Sequence, residues 1–175
     1  MADTHMPAKN HDLAATAGRA LLARQWRLVT AESCTGGGVA AALTDIPGSS
    51  QWFERGYVTY SNLAKQQDLG VSAATLDNHG AVSAEVVLEM AAGALRAGGA
   101  DLALSVSGVA GPDGGTAAKP VGLVWFALAR RAAPGHRDPG RSEMRQFAGD
   151  RAAVRLAAVH RALELINAAL LDPER

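Results

Sequence analysis

Apolar residues recur along this chain in two rhythms, helical spacing and short unbroken runs, and their order predicts the elements. Leu13 to Ala23 carries Ala and Leu at helical spacing and predicts a first helix. Arg27 to Ala31 is a short β-like run, followed by a small polar segment, Glu32 to Gly38, and by a helix over Val39 to Leu43. After a turn at Ile46 to Ser50, the aromatic and β-branched run Trp52 to Tyr60 predicts a strand. Short helices follow over Ser61 to Leu69 and Ala73 to Asn78, the second stopped by His79-Gly80. Ser83 is set to cap a long Ala-rich helix ending near Ala97. Ala100 to Val106 reads as a buried strand that runs into the glycine-rich segment Ser107 to Gly115. Pro120 to Ala129 and Ser142 to Phe147 predict two more strands, joined through a polar loop that includes Pro134 to Gly140. Gly149 to Leu171 predicts a last helix bearing Arg151, Arg155 and Arg161.

Helices alternate with the early strands, whereas the last two strands follow each other directly. That order predicts the α/β class: a three-layer α/β/α sandwich with a mixed β-sheet. The 175 residues suit one domain, with no internal repeat or linker. The expected organisation is a floppy leader over 1–10 and a single domain over 11–175.

Charge and composition narrow the function. Lys+Arg and Asp+Glu are 17 each, and a formal net charge of zero argues against a nucleic-acid partner while leaving room for a small phosphate pocket. No run approaches a membrane span, and the polar N-terminus lacks the apolar stretch of a secretory signal. The expected setting is therefore cytoplasmic, with no membrane partner. Cys34 is the only cysteine, which excludes an internal disulfide and a Cys-clustered zinc site. The histidines lack ligand spacing and the acids form no paired-carboxylate pattern, so neither a metal nor a cofactor is expected.

The lysines are Lys9, Lys65 and Lys119 alone. Lysine can lose its proton in a desolvated site, whereas arginine effectively cannot. With Lys9 in the expected leader, a proton-shuttling cation has few candidates.

Three segments carry chemistry. Glu32-Ser33-Cys34-Thr35-Gly36-Gly37 stands where a strand enters a helix, an arrangement that aims N–H groups and a positive dipole end at an anion. The same residues also suit an N-cap and a tight turn, and the spacing matches neither a P-loop nor a dinucleotide fingerprint. In Thr59-Tyr60-Ser61-Asn62-Leu63-Ala64-Lys65, Ser61 and Lys65 share a helix face. That pair reads either as a capping serine with a solvated lysine or as a serine–lysine site. Ser107 to Gly115 is able to present N–H groups to a phosphate or an oxyanion, or to serve as a flexible connection with Asp113 as a turn residue. No Ser-His-Asp order stands out, so the base for a serine nucleophile has to be a lysine.

Together with Gly48 to Asn62, His79 to Ser83 and Lys119-Pro120-Val121-Gly122, these segments resemble the CinA C-terminal family over about residues 10–170. The resemblance implies an α/β/α fold and hydrolysis of nicotinamide mononucleotide to nicotinate mononucleotide and ammonia. It implies a Ser–Lys site assisted by a tyrosine: Ser33 as nucleophile, Lys65 as base, Tyr60 as proton relay or orienter. Ser61 stays open as the alternative serine. Expected substrate contacts are Glu32, Cys34, Thr35, Gly36, Gly37, Ser61, Asn62, Ser107, Gly108, Ala110, Gly111 and Arg151, the last at the phosphate unless it pairs with Asp150. A neutral Lys65 requires a depressed pKa, which burial beside a cationic substrate supplies. One rival chemistry makes Cys34, Glu32 and Lys65 a Cys–Glu–Lys amidase, the thiol acidified by a helix N-terminus. A rival class is a non-catalytic nucleotide-binding or regulatory module linked to competence or DNA damage, as the family's naming invites. The expected partner is a small nucleotide, and a homodimer is compatible with the chain.

Overall fold

The computed structural model describes residues 6–132 and 138–171. The elements are α1 (Met6–Arg24), β1 (Leu28–Glu32), α2 (Gly38–Thr44), a single 3-10 turn (Ser49–Gln51), β2 (Phe53–Val58), α3 (Asn62–Leu69), α4 (Ala73–His79), α5 (Ala84–Gly98), β3 (Leu102–Gly108), β4 (Leu123–Arg130), β5 (Arg141–Gln146) and α6 (Arg151–Leu171). They form one five-stranded sheet in the order β2-β1-β3-β4-β5. β1 runs parallel to both β2 and β3, while β4 is antiparallel to β3 and to β5. The mixed sheet and the three layers are those the element order predicts.

Strand alternation separates two cores. Leu28, Leu102, Leu104, Val106, Val124 and Phe126 pack on one face with residues of α1, α2 and α6. Val29, Ala31, Ala103, Ala127 and Ala129 pack on the other with α5, through Val86, Val87 and Met90. Because both faces are covered, β1 and most of β3 are buried throughout, the polar Thr30, Glu32, Ser105 and Ser107 included. β5, at the edge, is largely exposed, and the fork of Arg161 on α6 ties it down: Nε and Nη2 each donate to Glu143 at 2.8 Å. That guanidinium holds the Glu143 carboxyl below its ordinary pKa.

On the α5 side, α3 approaches so closely that a Cβ on Gly93 would lie 1.9 Å from the Leu69 carbonyl oxygen; only bare backbone fits there. The chain from β1 to β2 passes through α2 on one face, and the chain from β2 to β3 returns through α3, α4 and α5 on the other. The crevice where such connections diverge, beyond the carboxyl ends of the strands, is where open α/β sheets place ligands.

The first helix begins at Met6 rather than Leu13, so residues 6–10 belong to it and not to a leader. Asn10 is buried and its Oδ1 lies 2.7 Å from His160 Nδ1 on α6, an anchor that a pattern of apolar residues cannot reveal. Residues 1–5 lie outside the described residues, as does part of the expected 134–140 loop. β4 starts at Leu123, three residues after Pro120. Proline has no N–H to give a ladder, and Gly122 closes the preceding loop by donating to the Val109 carbonyl. Among the described residues no helix is long and apolar enough to cross a membrane.

Candidate active site

Ser33 is the first residue after β1, and its N–H donates to Val106 O on β3 at 2.9 Å. The backbone there is an extension of the ladder, which fixes where the hydroxyl starts. Lys65, on α3, is 1% exposed and reaches back to the same point. Its Nζ lies 3.0 Å from Ser33 Oγ and 2.7 Å from the carbonyl oxygen of Thr59. Thr59 in turn donates its N–H to Glu32 O, so the acceptor that anchors the amine is itself tied to β1. Burial pushes the Lys65 amine down from 10.5 to about 8. A neutral amine so placed donates one N–H to Thr59 O and turns its lone pair to the Ser33 hydroxyl proton.

Ser61 takes a different position. It is the N-cap of α3, exposed, with its Oγ accepting from Ala64 N at 3.0 Å. Lys65 and Ser61 share a helix, but the amine points inward to Ser33 while the Ser61 hydroxyl is committed to the cap.

Cys34 is buried, and burial pushes its thiol up from 9.0 to about 11. The proposed Cys–Glu–Lys triad also lacks its carboxylate. Glu32 is fully buried on the α1/α2/α6 side and collects the start of α2: Oε1 accepts from Ala40 N at 2.8 Å, and Oε2 from Val39 N at 3.0 Å and Thr35 Oγ1 at 2.7 Å. The N-terminus of α2, expected to await an anionic ligand, is therefore occupied by the chain's own carboxylate.

A cavity of about 270 Å³ opens beside the serine–lysine pair. Its wall brings together Ser33, Cys34, Lys65, Tyr60, Ser107, Gly108, Ala110, Gly111 and Arg151. Of the expected contacts, Glu32, Thr35, Gly36, Gly37, Ser61 and Asn62 stand outside that wall. Glu32 and Thr35 face the helices behind it, and Ser61 and Asn62 open α3 toward solvent. Ala81, Val82, Val109, Asp113 and Gly114 complete the wall. Ala81 and Val82 arrive because Ser107 Oγ donates to Ala81 O at 2.8 Å, a tie across 26 residues that sequence spacing does not disclose. Lys119 is taken up elsewhere: its amine donates to the carbonyl of His79, closing the end of α4 against the glycine-rich loop.

Tyr60 and Arg151 form the rim. Arg151 Nη2 donates to Tyr60 Oη at 2.7 Å and Nη1 to Gly111 O at 2.8 Å. The guanidinium thus bridges two loops across the opening rather than pairing with Asp150, whose carboxylate caps α6 by accepting from Ala153 N at 2.9 Å. The Tyr60 hydroxyl faces Arg151 and makes no hydrogen bond to Ser33 or Lys65 among the described residues. A second cavity of about 520 Å³ adjoins the first, sharing Ala110, Gly111 and Arg151 and continuing to Gly149, Ala152 and Arg155. Arg155, absent from the expected site, lies one helical turn beyond Arg151; that spacing is the signal that marks it.

A buried lysine against a serine, at the mouth of a glycine-lined cavity on an α/β/α sandwich, is the equipment of a nucleophilic hydrolase. The model of the CinA C-terminal domain matches residues 10–170, and the chain belongs to that family. It is 57% identical over 150 residues to nicotinamide-nucleotide amidohydrolase PncC of Enterobacter agglomerans, covering 85% of this chain and 87% of that protein. The PncC of Escherichia coli K12 is 57% identical over 149 residues, with the same coverage of 85% and 87%. Among solved structures, a competence-damaged protein (CinA) superfamily protein of Klebsiella pneumoniae superposes with a TM-score of 0.86 at 42% identity, covering 93% of this chain and 98% of that one.

Proposed function

We propose that this chain is an amidohydrolase that converts nicotinamide mononucleotide to nicotinate mononucleotide and ammonia. The single observation that carries the chemistry is the contact of 3.0 Å between Lys65 Nζ and Ser33 Oγ inside the glycine-lined cavity. The names of the relatives at 57% identity support the substrate.

The substrate carboxamide sits on a cationic pyridinium ring, which withdraws electrons and makes the carbonyl carbon electrophilic. Neutral Lys65 takes the Ser33 proton as Oγ attacks that carbon. Negative charge moves to the carbonyl oxygen, and N–H groups of the glycine-rich wall at Ala110 and Gly111 are the candidate donors to it. The Lys65 ammonium then returns its proton to the amide nitrogen, the C–N bond breaks, and ammonia leaves an acyl ester on Ser33. Water, deprotonated by the same amine, attacks the ester and releases the carboxylate and the serine. Arg151 at the rim, where the second cavity begins, is the side chain assigned to the distal phosphate.

The test is ammonia release, followed by a coupled assay at pH 8, with the mononucleotide, the riboside and free nicotinamide. Rapid release from the mononucleotide and far slower release from the other two is the expected result. No release from the mononucleotide refutes the enzyme reading and leaves a nucleotide-binding module.

A further inference from the structure

The turn that carries Ser33 is held from behind by a residue of the last helix. Thr35 is buried, with its hydroxyl on the Glu32 carboxylate and its carbonyl oxygen accepting from Gly38 N at 3.2 Å. The same oxygen accepts from Arg155 Nη2 at 2.8 Å, a bond that spans 120 residues. Gly36 has φ of +59°, and a Cβ there would sit 3.4 Å from that guanidinium nitrogen. The bare backbone of the turn thus lies directly against Arg155. Gly36 N donates to Ser33 O at 3.0 Å, so the turn clamped by Arg155 is hydrogen-bonded directly to the nucleophile.

Resting on the reading of Ser33 as nucleophile, we infer that Arg155 is a positioning residue, whose guanidinium fixes the Thr35–Gly36 turn and thereby holds Ser33 Oγ in line with Lys65. Arg155 is absent from the wall of the cavity that holds Ser33 and Lys65 and lines the second cavity behind Arg151, where its Nη2 is bonded to Thr35 O, so the two arginines divide the work on one helix. Arg151 spans the substrate rim, and Arg155 sets the loop. Loss of the clamp lets the hydroxyl drift, and displacement of a reacting group by about 1 Å costs on the order of 100-fold in rate. Binding of the ground-state substrate, which is gripped elsewhere, is left alone.

The experiment compares Arg155→Met and Arg155→Lys with the wild type. It reads kcat and KM for the mononucleotide, and the rate at which a small fluorophosphonate labels Ser33. Rates are expressed per folded molecule, counted by thermal melting and circular dichroism. Arg155→Met is expected to lower kcat by about 10- to 100-fold with KM within about threefold, to slow serine labelling in parallel, and to leave the alkaline break of the pH profile in place. Arg155→Lys, which returns one donor and the charge, is expected to recover part of both rates. A raised KM with unchanged kcat overturns the inference, because Arg155 then grips substrate. Unchanged labelling beside a lowered kcat also overturns it, as does an unaltered rate per folded molecule. Wild-type protein that releases no ammonia fails the functional reading instead, and the labelling rates still decide the role of Arg155.

Discussion

Replacing Lys65 by methionine removes activity without removing stability if the amine is the base. Burial holds its pKa at about 8 instead of 10.5. At pH 7 the neutral form is then about one molecule in ten, against about one in three thousand for an unperturbed lysine, a roughly 300-fold gain in competent base. The profile of kcat/KM is expected to rise about tenfold per pH unit below 7 and to level off above about 9, breaking near 8. The same shift has a sign for stability. The folded pKa lies below the unfolded one, so between about 8 and 10.5 the unfolded chain binds more protons, and stability rises with pH through that window. Below about 8 the whole cost of burying the charge is present, on the order of 3 kcal/mol for this shift. Methionine removes that cost but leaves Thr59 O without its donor, at about 1–3 kcal/mol. The net effect at pH 7 is between neutral and about 2 kcal/mol favourable, a Tm equal to or a few degrees above the wild type. Thermal melting at pH 7 and ammonia release between pH 6 and 10 measure both. Residual turnover above about a tenth, a flat pH profile, or a Tm lowered by more than about 5 °C refutes the reasoning.

The other substitutions sort the remaining assignments. Ser33→Ala is expected to abolish turnover, whereas Ser61→Ala loses a helix cap, about 1 kcal/mol or a few degrees of Tm, and keeps turnover within about threefold; the reverse pattern exchanges the two serines. Cys34, with its thiol near 11, is expected to resist iodoacetamide at pH 8, and Cys34→Ser to retain turnover within about threefold; a tenfold loss restores the cysteine mechanism. Arg151→Ala is expected to raise KM for the mononucleotide about tenfold or more and to leave the riboside nearly unchanged. Equal losses on both substrates make Arg151 a support of the Gly111 loop and of Tyr60 instead.

Much of this was legible in local pattern. The strand–loop–helix entry at Glu32 to Gly38, the buried run before Ser107 and the direct succession of the last two strands specify the mixed sheet, because each rests on periodicity or on glycine spacing. What the pattern could not disclose is where a side chain points once strands pair. Glu32 and Ser33 are neighbours, yet strand alternation sends the carboxylate to the α2 side, where it satisfies Val39 and Ala40, and leaves the serine at the cavity. Thr35, Gly36 and Gly37 shape the loop from behind, through the ties of Thr35 to Glu32 and Arg155 and the left-handed backbone of the two glycines. The choice between Ser33 and Ser61 was likewise open at the level of spacing, since a helix face does not say which way its lysine bends. Helical spacing from Arg151 marks the face that bears Arg155, but its bond to Thr35 across 120 residues, like the tie of Ser107 to Ala81 across 26, has no local signature.

On the proposed reading, the positions of the buried Glu32 and Lys65 account for how one serine is both held and activated. Glu32 and Arg155 reach the Ser33 turn from the layer of α1, α2 and α6, and neither approaches the Ser33 hydroxyl within hydrogen-bond distance. Lys65 reaches it from the α3 side, with its proton affinity lowered by burial under that layer. A carboxylate on the same side as the amine would stabilise the ammonium and raise its pKa, defeating the base. With β1 between them, Glu32 anchors α2 while the amine stays able to lose its proton near pH 8. Positioning and titration are therefore carried by different layers. On that separation, variants of Arg155 are expected to lower the rate without moving the break, and changes around Lys65 are expected to move the break itself.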